Sequence, residues 1–333
     1  MSKRGRVIFI IIGIVLFIVL AAVIALAICV NMGNANLHSP FSGVETPKSA
    51  SSSDSGKTIE YKGHTYLYNA NVVSVLVEGY DDESVYATRK NASCSDANVL
   101  VTLDTSTNKV RCITVPRDSM VGVDVYKDGV YQTTSTMQLC LAYAADTGSD
   151  KKCAQNVANS VSRLFYNVPI KYYFALGEKS LEEITREVDG VSLTALATIP
   201  GTDIRKGEQM ILEGSNAYQY VHYRDITVPK SALSRQTRQM QFVKAFMAKA
   251  RTLGVPTIAS LFSSIGKQSV TNLGASELSY LASCFITGDN ATVEMDTLEG
   301  TTKLDKTKTH EEYYLNKGDV LQTMLNTYYT RIN

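Results

Sequence analysis

Four acids and one arginine stand at the margins of three apolar runs early in this chain. Asp81 and Asp82 follow Gly79, Asp96 precedes the second run, and Arg117 and a further acid, Asp118, follow Pro116 after the third. Arg224, Arg235, Arg238 and Gln239 cluster further on. Carboxylates suit a hard divalent cation, which takes oxygen ligands. Guanidinium groups form a planar fork that matches phosphate. Any one of these charges reads as a solvated loop charge. Delivered together, they read as a site for a metal ion and a phosphate.

The apolar runs Val72–Val77, Val99–Leu103 and Val110–Val115 are rich in β-branched residues and separated by turn-rich segments, so each predicts a strand. The first and third are nearly continuous, as in strands buried on both faces. Ligands of open α/β sheets gather at strand ends, where the acids and Arg117 stand. Ser231–Arg251 predicts a helix with Met240, Phe242, Val243, Phe246 and Met247 in one stripe. Arg235, Arg238 and Gln239 fall in its first turns, at spacings that share a face. That end of a helix carries free N–H groups and the positive dipole end. Arg224 precedes it closely.

The 333 residues carry a formal net charge of +1, which suggests neither a nucleic-acid partner nor a polybasic membrane surface. Val7–Val30 is an uncharged apolar stretch preceded by Lys3, Arg4 and Arg6. It predicts one membrane span, with residues 1–6 cytoplasmic and the rest outside. A cleaved signal peptide has a shorter apolar core. Residues 31–57 are rich in Ser, Gly, Asn and Pro and read as a flexible tether, leaving 58–333 as one extracytoplasmic domain. Cys94, Cys112, Cys140, Cys153 and Cys284 lie in that domain without CxxC units, which argues against structural zinc. Cys140 with Cys153 is the first candidate disulfide, across two predicted helices, and Cys94 with Cys112 the second. The alternative, that all are small buried hydrophobes, stays open.

After Asp118 the pattern predicts strands at 121–126 and 129–132 about a KDG turn, then a helix at 135–145 with Ser135 as cap and another at 153–165. A strand at 172–176, a helix at 178–188, a strand at 192–196 and a short helix at 214–223 follow. Short helices at 258–265, 275–283 and 317–329 and a strand at 293–298 complete the chain. This alternation predicts an α/β domain with a central mixed β-sheet flanked by helices.

No GxGxxG, Walker A, HExxH or GxSxG sequence is present, and the SxxK matches at Ser106 and Ser264 lack a following KTG. The four histidines are His38, His64, His222 and His310. Acids with arginines point to metal-assisted phosphoryl chemistry. Outside a cell, where nucleotide is scarce, an activated lipid diphosphate bearing a sugar polymer would supply the reactive bond.

GYDD at 79–82, SDANVLVTLD at 95–104, ITVPRDSMV at 113–121, LAYAADTG at 141–148, YVHYRD at 220–225 and SRQTRQ at 234–239 occur in that order. Together they resemble the LytR-CpsA-Psr family of cell-wall glycopolymer ligases, clearly over 72–251 and loosely beyond. The resemblance implies transfer of a glycopolymer phosphate from an undecaprenyl diphosphate carrier to a peptidoglycan hydroxyl in a Gram-positive envelope. It implies that Asp81 and Asp96 hold Mg2+ or another divalent cation. It implies that Arg117, Arg224, Arg235 and Gln239 hold the diphosphate, with Arg238 close by and the lipid tail in an apolar cavity.

The chain departs from the family pattern in four places. Gln138 replaces a lysine, His222 and Cys94 each replace an arginine, and Ala232 replaces an acid that is a candidate base. Asp118 or Asp225 is then left to take that role, with Arg117 and Arg224 as its catalytic partners. A non-catalytic envelope protein that binds polyprenyl phosphates or wall glycans is the other reading.

Overall fold

The three predicted strands form adjacent antiparallel neighbours in register, Val75 opposite Val101 and Val101 opposite Cys112. The computed structural model describes residues 29–37, 50–53, 56–80, 93–145, 147–177, 180–225, 227, 228, 231–254, 257, 261, 265, 269–287, 293–307 and 310–333. The strands are β1 (Ser51–Ser53), β2 (Thr58–Tyr61), β3 (His64–Tyr68), β4 (Val72–Tyr80), β5 (Ser95–Asp104), β6 (Lys109–Thr114), β7 (Met120–Lys127) and β8 (Val130–Gln138). They continue as β9 (Tyr172–Gly177), β10 (Val191–Thr194), β11 (Gln209–Leu212), β12 (Ser269–Thr271), β13 (Val293–Thr297), β14 (Gly300–Leu304), β15 (Glu311–Leu315) and β16 (Tyr329–Arg331). The helices are α1 (Asp150–Leu164), α2 (Ser180–Glu187), α3 (Gly214–His222), α4 (Ser231–Arg251), α5 (Ala275–Thr287) and α6 (Lys317–Tyr328).

A six-stranded sheet runs β12-β9-β4-β5-β6-β13. It is mixed, with β4 parallel to β9 and β6 parallel to β13 while the remaining pairs are antiparallel. Alternate residues of the strands feed opposite cores, as the two-residue period of a strand demands. Leu76, Leu100 and Ile113 share one core with Val157 and Val161 of α1 and with Leu321 and Met324 of α6. Val73 and Val75 join Ile184 of α2, Tyr220 of α3 and Phe242 of α4 on the other face. Val99, Leu103 and Cys112 pack with Met240 and Met247 of α4. Each fully buried leucine contributes about 1.5–3 kcal/mol of apolar burial. Ser149 caps α1 and Asn316 caps α6, each accepting a hydrogen bond from a first-turn N–H. In the β7–β8 turn Asp128 and Gly129 both have positive φ, 51° and 77°, the geometry that matches a two-residue hairpin to strand twist.

Because β4, β5 and β6 alternate in direction, the end of β4, the start of β5 and the end of β6 lie on one edge of the sheet. β13 runs parallel to β6 and so ends on the same edge. There Leu298 N–H donates to the Thr114 carbonyl, and the β14–β15 hairpin follows.

Several expectations are corrected. The helix expected at 135–145 is strand through Gln138, paired along β7, and then a short 3-10 turn at Leu139–Ala142. The β-branched Thr133, Thr134 and Thr136 favour the ladder, and Ser135 pairs with Val123 instead of capping a helix. The tether expected over 31–57 is structured in part. Residues 29–37 are helical, Leu37 is buried in the second core, and Asn36 bonds both Glu277 and Tyr172. Ser51–Ser53 pairs with β2. Leu37 and the Asn36 hydrogen bonds anchor the first of these segments, and the ladder with β2 anchors the second.

All the cysteines are free, and neither expected disulfide is present. Cys153 bonds Thr147 Oγ1 at 3.0 Å, and Cys112 lies 3.7 Å from Met247 Sδ. The span expected at 7–30 lies almost wholly outside the described residues. Among the described residues no helix is long and apolar enough to cross a membrane.

Candidate functional site

The sheet edge that gathers the strand ends also meets the start of α4. Asp96, at the head of β5, lies buried between two arginines from opposite walls. Arg117, from the loop after β6, donates through Nη1 to Asp96 Oδ1. Arg235, in the second turn of α4, donates through Nη1 to Asp96 Oδ2 at 3.1 Å. Asp96 and Arg235 are 8% and 5% exposed, so this pairing is largely withdrawn from water. Buried charges persist only when paired in this way.

Asp118 completes the floor. Its Oδ1 accepts a hydrogen bond from Gln138 Nε2 at 3.2 Å and lies 3.3 Å from Arg117 Nε. That Nε is not aligned for a hydrogen bond, so the contact is an ion pair of charge alone. Burial raises the Asp118 carboxyl above the ordinary carboxylate range, an effect that Arg117, Arg224 and Arg235 oppose. For Arg117 burial acts downward, and Cys140, Asp96 and Asp118 outweigh it, so the guanidinium stays charged. Arg224, on the turn between α3 and α4, donates through Nε to Ser231 Oγ at 2.9 Å. Arg117 and Arg235 thus both pair with Asp96, and Arg224 acts on Asp118 through its charge.

The PRD loop that carries Arg117 is held from behind. The Cys140 N–H donates to the Arg117 carbonyl and the Leu139 N–H to the Ser119 carbonyl, at 3.0 and 2.9 Å. Arg117 Nη2 donates to Cys140 Sγ at 3.4 Å. The Cys140 thiol shares a hydrogen bond with the Cys94 thiol, which together with burial holds it well above the usual thiol range. From the other side, the Tyr313 N–H of β15 donates to the Asp118 carbonyl at 2.8 Å.

Above this floor a cleft opens between the sheet and α4. Asp96, Arg117, Asp118, Arg235 and Gln239 line it, and Val99, Val115, Leu233, Met240 and Val243 make its apolar wall. A charged floor under an apolar wall fits an anionic head group on a hydrocarbon tail. The hairpin from the C-terminal part adds Thr302, Glu311, Glu312 and Tyr313, residues that no sequence motif marks. Gln236 also lines it, one residue from the expected Arg235.

Arg238 does not join the anion cluster. Its Nε donates to the Tyr220 carbonyl at 2.9 Å and its Nη2 to the Tyr223 carbonyl, so it caps the end of α3. Desolvation lowers its pKa. Gln239 faces the cleft and also reaches the Val221 carbonyl at 3.3 Å. Asp225 is exposed, with Oδ1 taken by the Thr227 N–H and hydroxyl, so of the two acids considered as base Asp118 is the one in the cleft. Asp81 lies outside the described residues.

For a divalent cation, the donor chemistry of Asp96 is suitable. Each of its oxygens accepts one arginine N–H and keeps a second acceptor direction. Among the described residues no group of three or more His, Cys, Asp or Glu side chains is placed to hold a metal.

A model of the LytR_cpsA_psr family matches residues 41–329. The polyisoprenyl-teichoic acid–peptidoglycan teichoic acid transferase TagU of Bacillus cereus is 27% identical over 60% of this chain and 60% of its own length. TagT of Bacillus subtilis, which carries the same transferase name, is 23% identical over the same shares. The chain spans about half to three fifths of the length of the curated relatives it matches. The crystal structure of Bacillus subtilis TagV superposes with a TM-score of 0.61 at 18% identity, covering 77% of this chain and 98% of TagV. The α/β fold with its mixed central sheet is therefore the fold of that structure.

Proposed function

The chain belongs to the LytR_cpsA_psr family, and we propose that it is a membrane-anchored phosphotransferase. It moves a glycopolymer from an undecaprenyl diphosphate carrier onto peptidoglycan. The observation that carries this reading is Asp96 clamped between Arg117 and Arg235 on the floor of an apolar-walled cleft. The teichoic acid transferase names of TagT and TagU support the same chemistry.

Arg117, Arg224 and Arg235 bind the diphosphate oxygens, with Gln239 beside them, and the polyprenyl tail lies along Val99, Leu233, Met240 and Val243. A peptidoglycan hydroxyl oxygen attacks the phosphorus next to the glycan. The new phosphorus–oxygen bond forms as the bridging bond to the second phosphorus breaks, and polyprenyl monophosphate leaves. Asp118 takes the hydroxyl proton, a role suited to a carboxylate whose pKa is raised by burial. The arginines stabilise the negative charge that spreads over the transferring phosphoryl group and the leaving phosphate. Asp96 with Asp81 would hold Mg2+ or a similar cation, which when bound neutralises diphosphate charge.

Ala232, where the family carries an acid, favours a second reading in which the same cleft binds polyprenyl phosphates or wall glycans without turnover. Titrating polyprenyl diphosphate into the wild type and Arg117→Lys tests the shared premise. One lost charge-assisted contact, about 1.5–3 kcal/mol, weakens binding by roughly 10- to 150-fold. Equal affinities would remove the arginine floor from the account.

A further inference from the structure

We propose that Cys94 and Cys140 are joined by a disulfide in the exported protein, and that this bond positions Arg117 on the cleft floor. The effect on Arg117 rests on the reading of the cleft given above, whereas the bond itself does not.

Both residues are buried, at 4% and 0% exposure, and their thiols share a hydrogen bond. Cys94 leads directly into β5 and Asp96, and Cys140 lies in the 3-10 turn behind the PRD loop. A bond between them ties the segment that carries Asp96 to the turn that holds the loop of its ion-pair partner Arg117. The other buried thiols are engaged elsewhere, Cys112 toward Met247 and Cys153 toward Thr147 and the Ala145 carbonyl. Cys140 is also tied to Arg117 twice, through its backbone N–H and through its sulfur. Fixing Cys140 therefore fixes both the carbonyl and one terminal nitrogen of Arg117.

The chemistry balances by thiol–disulfide exchange. The two thiols give up two protons and two electrons and form one sulfur–sulfur bond. The electrons reduce the disulfide of a thiol–disulfide oxidoreductase to a dithiol, through a mixed disulfide. Such oxidants prevail outside the cytoplasm, where this domain folds on the proposed topology.

The test uses the full chain purified from the membranes of a Gram-positive host, with free thiols alkylated at lysis. It is then denatured, alkylated again and digested without reductant. A linked peptide pair containing Cys94 and Cys140, lost on reduction, is the expected result, with Cys112 and Cys153 alkylated. Alkylation of Cys94 and Cys140 in the unreduced protein, or either one linked to another cysteine, overturns the proposal.

Positioning is read by titrating polyprenyl diphosphate with and without reductant. Reduction should weaken binding about tenfold in the wild type, the order of one charge-assisted contact. It should leave the double variant Cys94→Ser/Cys140→Ser unchanged. Equal affinity of oxidised and reduced wild type removes the positioning role. A linked peptide in a protein that binds no diphosphate in either state removes the cleft reading, and with it that role, while the disulfide stands.

Discussion

Arg235 places its Nη1 3.1 Å from Asp96 Oδ2, although 139 residues separate the two along the chain. Helix α4 and strand β5 are thereby joined at the site, and Arg117 closes the clamp from the neighbouring loop.

Asp96→Ala leaves two guanidinium groups facing each other without their shared counter-charge. Breaking a buried pair in this way costs about 3–5 kcal/mol. Urea unfolding should show that loss in the midpoint, with little change in slope. A variant as stable as the wild type would mean that the clamp is far more solvated than its burial implies.

Arg238 makes the opposite prediction to Arg117. Its donors serve the Tyr220 and Tyr223 carbonyls, so Arg238→Met should cost about 1–3 kcal/mol of stability by leaving them unpaired. Diphosphate affinity of the folded variant should stay at the wild-type value. A selective loss of affinity with unchanged melting temperature would return Arg238 to the binding site.

Asp118 must be ionised to accept a proton. Because burial raises its pKa, the acid limb of the rate profile should fall at a pH above the ordinary carboxylate range. Activity is full above that pKa and is lost as pH drops through it. Asp118→Asn should lower turnover by roughly 10²- to 10⁴-fold and erase that limb. An unchanged profile in the variant would assign the proton to another group.

Glu78 lies on β4 with both carboxylate oxygens buried and unbonded, and burial pushes its pKa well above the usual range. A carboxyl with a raised folded pKa favours folding most below its unfolded pKa. That contribution is lost as pH rises toward the folded value. Glu78→Gln does not titrate, so it should raise the melting temperature at neutral pH by about 2–4 °C, the shift given by roughly 1 kcal/mol. The gain should vanish near pH 4. A gain independent of pH would show that Glu78 is not held protonated.

Much of this was legible in the sequence because the signals are local. The apolar runs of β4, β5 and β6 and the stripe of α4 follow from periodicity, and alternating strand directions bring Asp96 and Arg117 to one edge. The misreadings have a common physical origin in tertiary partners. Spacing alone gave Arg238 the same helix face as Arg235, but the carbonyls at the end of α3 claim its guanidinium. The run Ser135–Ala145 has helical spacing, yet pairing with β7 decides its conformation. Glu311, Glu312 and Tyr313 carry no motif, and the parallel pairing of β13 with β6 is what brings their hairpin to the cleft. Nearness in sequence pairs Cys140 with Cys153, whereas the turn at 139–142 sets its thiol against that of Cys94.

The central claim is tested most directly by incubating the full chain with a polyprenyl diphosphate-linked glycopolymer and peptidoglycan, then measuring polyprenyl monophosphate by mass spectrometry. The account predicts one monophosphate released for each glycopolymer attached by wild type, with Arg117→Lys and Asp118→Asn strongly impaired. Tight binding of the carrier lipid by wild type with no monophosphate released would contradict the transferase and leave a binding protein in its place.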